Sequence, residues 1–301
     1  FKGLFYMSSP QISALLVARI ILSLGGIISN SFIIATMIKK WAKCRRLASN
    51  DQLLLSLGLS NFCASALEII FYLPRFWTGI LLLFPPLYFF SFIVVMSRFW
   101  FTAWLCIFYC IKIMSSTHPL FIQCKLRISW LIPRLLVGSL LISIFIFPFR
   151  NVFVQTQMNI TTNATNGIKE MAPYGFTLPL GGIFFVVASG CPLLVVLLCS
   201  ILVVASLCKH IRRMTDKESC FQGFQTEGHV KAARTVLSLL FIYISFYVAH
   251  TLSVTMDWAD NGHIFVTIAM TMYSPAQAFI LLMVNPKLKQ AAARILERTR
   301  P

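Results

Sequence analysis

The sequence predicts an all-α membrane protein, a seven-transmembrane helix bundle followed by a short cytoplasmic amphipathic helix. Three observations predict it. Apolar residues make up 58% of the chain and charged residues only 12%, with a mean hydropathy of +0.80, a balance that no soluble domain presents to water. Apolar runs long enough to cross a hydrocarbon core of about 30 Å, roughly 20 residues each, recur along the whole length. Lysine and arginine gather in alternate connections, as membrane insertion requires.

The apolar segments fall at about 12–38, 48–73, 87–113, 129–149, 177–207, 230–256 and 263–284, within a single polytopic membrane domain covering residues 1–301. Bases crowd the first connection (Lys39, Lys40, Lys43, Arg45, Arg46), the third (Lys125, Arg127), the fifth (Lys209, Arg212, Arg213, Lys217) and the tail (Lys287, Lys289, Arg294, Arg298, Arg300). The alternate connections hold only Arg75, Arg150 and Lys169. The positive-inside rule therefore places the N-terminus outside and the tail in the cytosol, in a multi-pass protein of the plasma membrane whose first span inserts as its own signal. After Pro286 the run to about residue 299 places Leu288, Ala292, Ile295 and Leu296 on one side and bases on the other, a helix for the inner leaflet. The net charge of +17 belongs to these inner connections and to lipid headgroups, and not to nucleic acid.

Two N-glycan acceptor sites, at Asn159 and Asn163, fall in the fourth connection, which the charge distribution has already placed outside. The nine cysteines all lie in apolar runs or cytosolic connections, so no extracellular disulfide is expected. No paired carboxylates, metal-ligand spacings or nucleophile elbow accompany them, and the seventh span has no lysine for a retinal Schiff base. Neither an enzyme nor a cofactor is implied.

The stretch from Phe89 to Arg127 is the expected central strut, aromatic at its start and basic at its end. At 1.5 Å per residue, Trp100 and His118 lie roughly 27 Å apart along it, nearly a bilayer core. Aromatic side chains gather in the outer halves of the spans: Phe71 and Tyr72, Trp100 and Trp104, Phe184 and Phe185, then Tyr243, Phe246, Tyr247 and His250. Such a set suits a mostly apolar ligand pocket, and the residues expected to line it are Tyr72, Trp100, Trp104, Phe185, Tyr243, Tyr247 and His250. Each also reads as ordinary helix packing. Three ionisable groups lie inside spans: Arg19 and Glu68, which can face each other as an ion pair, and Arg98, which is expected to snorkel outward.

Motifs spread from the second span to the tail carry a family resemblance. They are Leu47-Ala48-Ser49-Asn50-Asp51 and Leu57-Gly58-Leu59-Ser60; Phe108-Tyr109, Lys112-Ile113, His118-Pro119-Leu120-Phe121 and Lys125-Leu126-Arg127-Ile128; Ser206-Leu207, His210 and Met214; His229-Val230-Lys231-Ala232; and Asn285-Pro286-Lys287-Leu288-Lys289. In this order and spacing the chain resembles the bitter taste (type 2 taste) receptors, G-protein-coupled receptors. Two departures fall on that family's inner polar network: Asn61 stands where an arginine is usual, and Gln277-Ala278 where a His-Ser pair is common.

The resemblance implies a receptor for a small, largely apolar bitter compound, with Trp100 lining the pocket. It also implies an inner surface, built from His118, His210, Arg212, Arg213, Lys231 and Arg234, that couples to a heterotrimeric G protein of the gustducin or Gi type. His118 and Tyr109 are expected to belong to the switch that opens this surface. A vomeronasal type 1-like pheromone receptor is the neighbouring alternative, and a small-molecule transporter the alternative of a different class.

Overall fold

The computed structural model describes residues 9–72, 84–113, 119–165, 180–215, 223–255 and 262–298. The described chain forms helices α1 (Ser9–Cys44), α2 (Ser49–Tyr72), α3 (Phe84–Ile113), α4 (Pro119–Thr165), α5 (Leu180–Thr215), α6 (Gly223–Thr255), α7 (Gly262–Val284) and α8 (Pro286–Arg298). Seven of them, α1 to α7, are long and apolar enough to span a membrane. Their outer faces are what hydrocarbon calls for. Leu126 is 78% exposed, Phe145 74% and Phe241 73%, exposures that would be untenable in water but suit lipid tails.

Helix α3 is the central element, packed against α2, α4, α5 and α6. Of its most apolar window 61% is buried, more than in any other span, which makes it the strut around which the rest are arranged. Its inward side chains, including Phe92, Met96, Phe99, Leu105 and Cys106, join Leu54 and Leu57 of α2, Val196 and Val203 of α5, and Leu239 and Tyr243 of α6 in one core.

In lipid every polar group must find a partner inside the protein, and serine and threonine do so by bonding back along their own helices. Thr36 donates to the Phe32 carbonyl at 2.8 Å, Ser97 to Ile93 at 2.6 Å and Ser200 to Val196 at 2.8 Å. Where α1 turns into α2, Lys40 of α1 forms an ion pair with Asp51 in the first turn of α2. Arg45 ends α1 in the left-handed conformation, φ 55°, with its N–H on the Trp41 carbonyl at 2.7 Å. Asn285 caps α8: its side-chain oxygen accepts the Lys287 N–H at 3.0 Å, Pro286 occupies the first helical position, and Leu288 turns into the core.

Several helices run past the apolar segments that the sequence marks, α1 to Cys44, α5 to Thr215 and α6 from Gly223, and α4 does so furthest. Helix α4 does not stop near residue 149 but runs 47 residues to Thr165, about 70 Å at 1.5 Å per residue and more than twice a hydrocarbon core. Asn159 and Asn163 therefore belong to its last turns rather than to an irregular loop. Polar residues such as Gln155, Gln157 and Asn159 are compatible with helix once outside lipid, where the apolar pattern that marks a span no longer applies.

Candidate functional site

Where α3, α5, α6 and α7 meet, aromatic rings close on one another. Phe99 of α3 lies 5.1 Å from Tyr243 and 5.4 Å from Phe246 of α6, and Phe246 lies 4.5 Å from Tyr273 of α7, all between ring centroids. His250, one turn further out on α6, packs edge-on against Phe246 at 5.9 Å. Tyr243 donates its hydroxyl hydrogen to the Ser189 carbonyl of α5 at 3.3 Å, tying α6 to α5.

Arg98 sits among these rings. Its guanidinium carbon is 4.5 Å from the Tyr273 centroid and 4.9 Å from that of Phe246, within cation–π range of both. The expectation that Arg98 snorkels outward is corrected: it is 2% exposed and heads the largest fully buried side chains. Helical phase explains this. Arg98 and Thr102 are four residues apart and share the face turned to α7, where Thr102 meets the Tyr273 hydroxyl at 3.1 Å. Glu68 of α2, partly buried, accepts a hydrogen bond from Ser23 of α1 at 3.0 Å and lies within electrostatic reach of both Arg98 and Arg19.

Below the rings a polar network joins four helices. Thr102 donates to the Arg98 carbonyl at 2.8 Å, which leaves the Tyr273 hydroxyl as donor to Thr102. Gln277, one turn inward on α7, donates its amide hydrogens to Thr102 at 3.0 Å and Tyr273 at 3.1 Å. Its carbonyl oxygen accepts from Asn61 of α2 at 2.8 Å, and Asn61 also reaches Asn30 of α1 at 3.5 Å. Asn30 donates in turn to the carbonyls of Gly26 at 2.8 Å and Ser274 at 3.4 Å. The two positions that depart from the family pattern are thus bonded to each other, amide to amide.

The expected ligand residues separate into two groups. Tyr243 and His250 belong to the interior cluster, and Tyr247 places its hydroxyl near Gly190 of α5. Trp100 and Trp104 lie on the other side of α3, about 200° from Arg98 and Thr102 respectively. Trp100 stacks on Trp104 at 5.8 Å, and Trp104 donates its indole N–H to Ser139 of α4 at 2.8 Å. The structure does not bring the two tryptophans together with the α6 aromatics. Tyr72 closes α2 and Phe185 lies in the first turns of α5, but their side chains are outside the described residues.

Among the residues expected to serve G-protein coupling, Arg234 of α6 is exposed and Tyr109 packs edge-on against Phe108. His210, Arg212 and Arg213 fall in α5 and Lys231 in α6, with side chains outside the described residues, and His118 lies outside them altogether. A groove of about 970 Å³ between α6 and α7, lined by Phe241, Met272 and Phe279, opens on the lipid-facing surface and is separate from the interior cluster.

The sequence matches the taste receptor protein (TAS2R) family over residues 7–300. It is 30% identical to taste receptor type 2 member 4 of Homo sapiens, over 97% of this chain and 98% of that protein, and as similar to the same receptor of Pan paniscus over the same shares. Taste receptor type 2 member 7 of Pongo pygmaeus is also 30% identical, over 90% of this chain and 88% of that protein. The chain belongs to the type 2 taste receptor family. It is therefore a bitter taste G-protein-coupled receptor, a multi-pass membrane protein and not an enzyme.

Sequence reasoning passed over Thr102, Tyr273 and Asn30, and singled out Arg98 with the wrong orientation. The signal the sequence did offer is the pair Asn61 and Gln277, expected to depart from the resembled pattern and here in contact at 2.8 Å.

Proposed function

We propose that this receptor binds a small, largely apolar bitter compound from outside, among α3, α5, α6 and α7, and activates a gustducin or Gi-type G protein at the plasma membrane. The N-terminus is then extracellular, and the inner ends of α5 and α6, carrying His210, Arg212, Arg213, Lys231 and Arg234, meet the G protein together with His118. The observation that carries the reading is the continuous contact chain from His250 through Phe246 and Tyr273 to Gln277, Asn61 and Asn30. A ligand that favours one arrangement of the aromatic end biases the polar end, and the helices with it, by population shift. Tyr243 and His250 line this site, with Tyr247 at its α5 edge. Trp100 and Trp104 support it from behind by fixing the rotation of α3 against α4.

The test is a bitter-compound screen in cells expressing the receptor with a gustducin-type reporter, read as a calcium response. For the agonists found, Phe246→Ala is expected to raise the half-maximal concentration about 30-fold or more, on the scale of aromatic anchors in binding sites. Trp104→Phe, which removes one indole donor on the α4 side, is expected to raise that concentration by less than Phe246→Ala does at equal surface expression. The opposite pattern would move the pocket to the α3–α4 side, and accumulation of a compound in receptor-loaded vesicles without G-protein activation would replace the receptor reading with transport.

A further inference from the structure

We infer that Arg98 forms an anion-recognising floor to the ligand site, so that the receptor selects bitter compounds carrying a carboxylate or an equivalent paired-oxygen acid group. The inference rests on the ligand reading above and specifies its chemistry.

Arg98 lies 14 residues past the start of α3, about 21 Å along the helix and near the middle of the span. Its side chain is buried, yet its Nε and Nη2 nitrogens have no hydrogen-bond acceptor, and among the described residues no carboxylate oxygen comes within 4.0 Å. Two orphaned N–H donors on a buried cation make an unusual arrangement, because desolvated charge is normally paired and fully bonded. The aromatic rings of Phe246 and Tyr273 answer part of the charge but accept no in-plane hydrogen bond.

The identity of the two free atoms sets the ligand class. Nε and Nη2 form one edge of the guanidinium, and their N–H bonds run parallel at the spacing of the two oxygens of a carboxylate. A lone carbonyl would satisfy one of them. The local charge agrees: Arg19, Glu68 and Arg98 leave an excess of one positive charge in this part of the bundle, and the only acid among them is already held by Ser23. A cationic ligand would meet repulsion from Arg98, whereas a monoanion neutralises the cluster. Engagement of Arg98 also reaches the network directly, since the same guanidinium rests on Tyr273, whose hydroxyl meets Thr102 and Gln277.

The probes are three aromatic acids, 2-naphthoate, biphenyl-4-carboxylate and indole-3-acetate, each compared with its methyl ester on full-length receptor in the reporter cells. The acids are expected to act, as agonists or as competitors of a neutral agonist, at concentrations about 10- to 100-fold below their esters, the range for a charge-assisted bidentate contact. Arg98→Gln is expected to abolish that difference while a neutral agonist still signals. Arg98→Lys keeps the cation without the parallel donors and is expected to retain a fraction of it, which provides the comparison if Arg98→Gln fails to reach the surface. Esters as potent as acids on the wild-type receptor would overturn the inference, as would an acid preference that survives in either variant undiminished. Acids without effect beside active neutral agonists would also overturn it and leave the receptor reading standing. If no compound of any class signals, the ligand reading itself fails.

Discussion

Asn61 of α2 donates its side-chain amide to the Gln277 oxygen of α7 at 2.8 Å, and both residues are buried, at 0% and 1% exposure. Two neutral amides fill this site, with no proton to exchange between them. Removing one partner strands the other, at a cost of about 1 to 3 kcal/mol for a buried polar group, whereas replacing both by apolar groups of similar shape is close to neutral.

Asn61→Leu and Gln277→Leu are each expected to lower the thermal midpoint of the purified receptor, and the double variant to recover part of the loss. Gln277→Leu should do more harm of the two, since Gln277 also holds Thr102 and Tyr273. Strict additivity in this double-mutant cycle would show that the pair is not coupled.

Asn159 and Asn163 lie on the last turns of α4, four residues apart and so on one face. Under the proposed orientation, with the N-terminus outside, that end of α4 projects into the lumen during synthesis. Glycosidase treatment is expected to increase the gel mobility of the receptor made in mammalian cells, and Asn159→Gln combined with Asn163→Gln to remove the effect. Unchanged mobility throughout would withdraw support for this orientation.

Much of the architecture was legible because lipid imposes it. Span length, the asymmetry of bases and the amphipathic run after Pro286 each follow from bilayer physics acting on local sequence, and seven spanning helices with a helical tail are what the structure contains. The end of α4 was not legible, since outside the membrane its polar residues carry no apolar period. Nor was the rotation of α3. Arg98 invites a snorkelling reading by its charge, yet the rotation of α3 follows Thr102 meeting Tyr273 on one side and Trp104 meeting Ser139 on the other. Those contacts join residues 171 and 35 positions apart, and no local pattern announces them. Asn61 and Gln277 were visible singly, and only the folded chain shows their 2.8 Å contact.

The adjacent glycines of α1 separate a packing requirement from a simple helix preference. A Cβ on Gly26 would lie 2.4 Å from the Ser65 hydroxyl oxygen of α2 and 3.3 Å from the Cβ atoms of both Ser65 and Ser274 of α7, so α1 approaches its two neighbours there as closely as a helix lacking a side chain can. The serine oxygen can rotate away, but the two Cβ atoms move only with their backbones. On Gly25 a Cβ would meet nothing within 4 Å. Gly26→Ala is therefore expected to destabilise the receptor by about 1 to 3 kcal/mol through overpacking, and to disturb Asn30, which bonds the Gly26 carbonyl. Gly25→Ala is expected to be neutral or to stabilise by about 0.5 to 1 kcal/mol, since alanine is the better helix former. Thermal unfolding of the two purified variants measures the contrast. Equal midpoints would mean that α1 does not lie this close to α2 and α7, and the Asn30 end of the network would lose its footing with them.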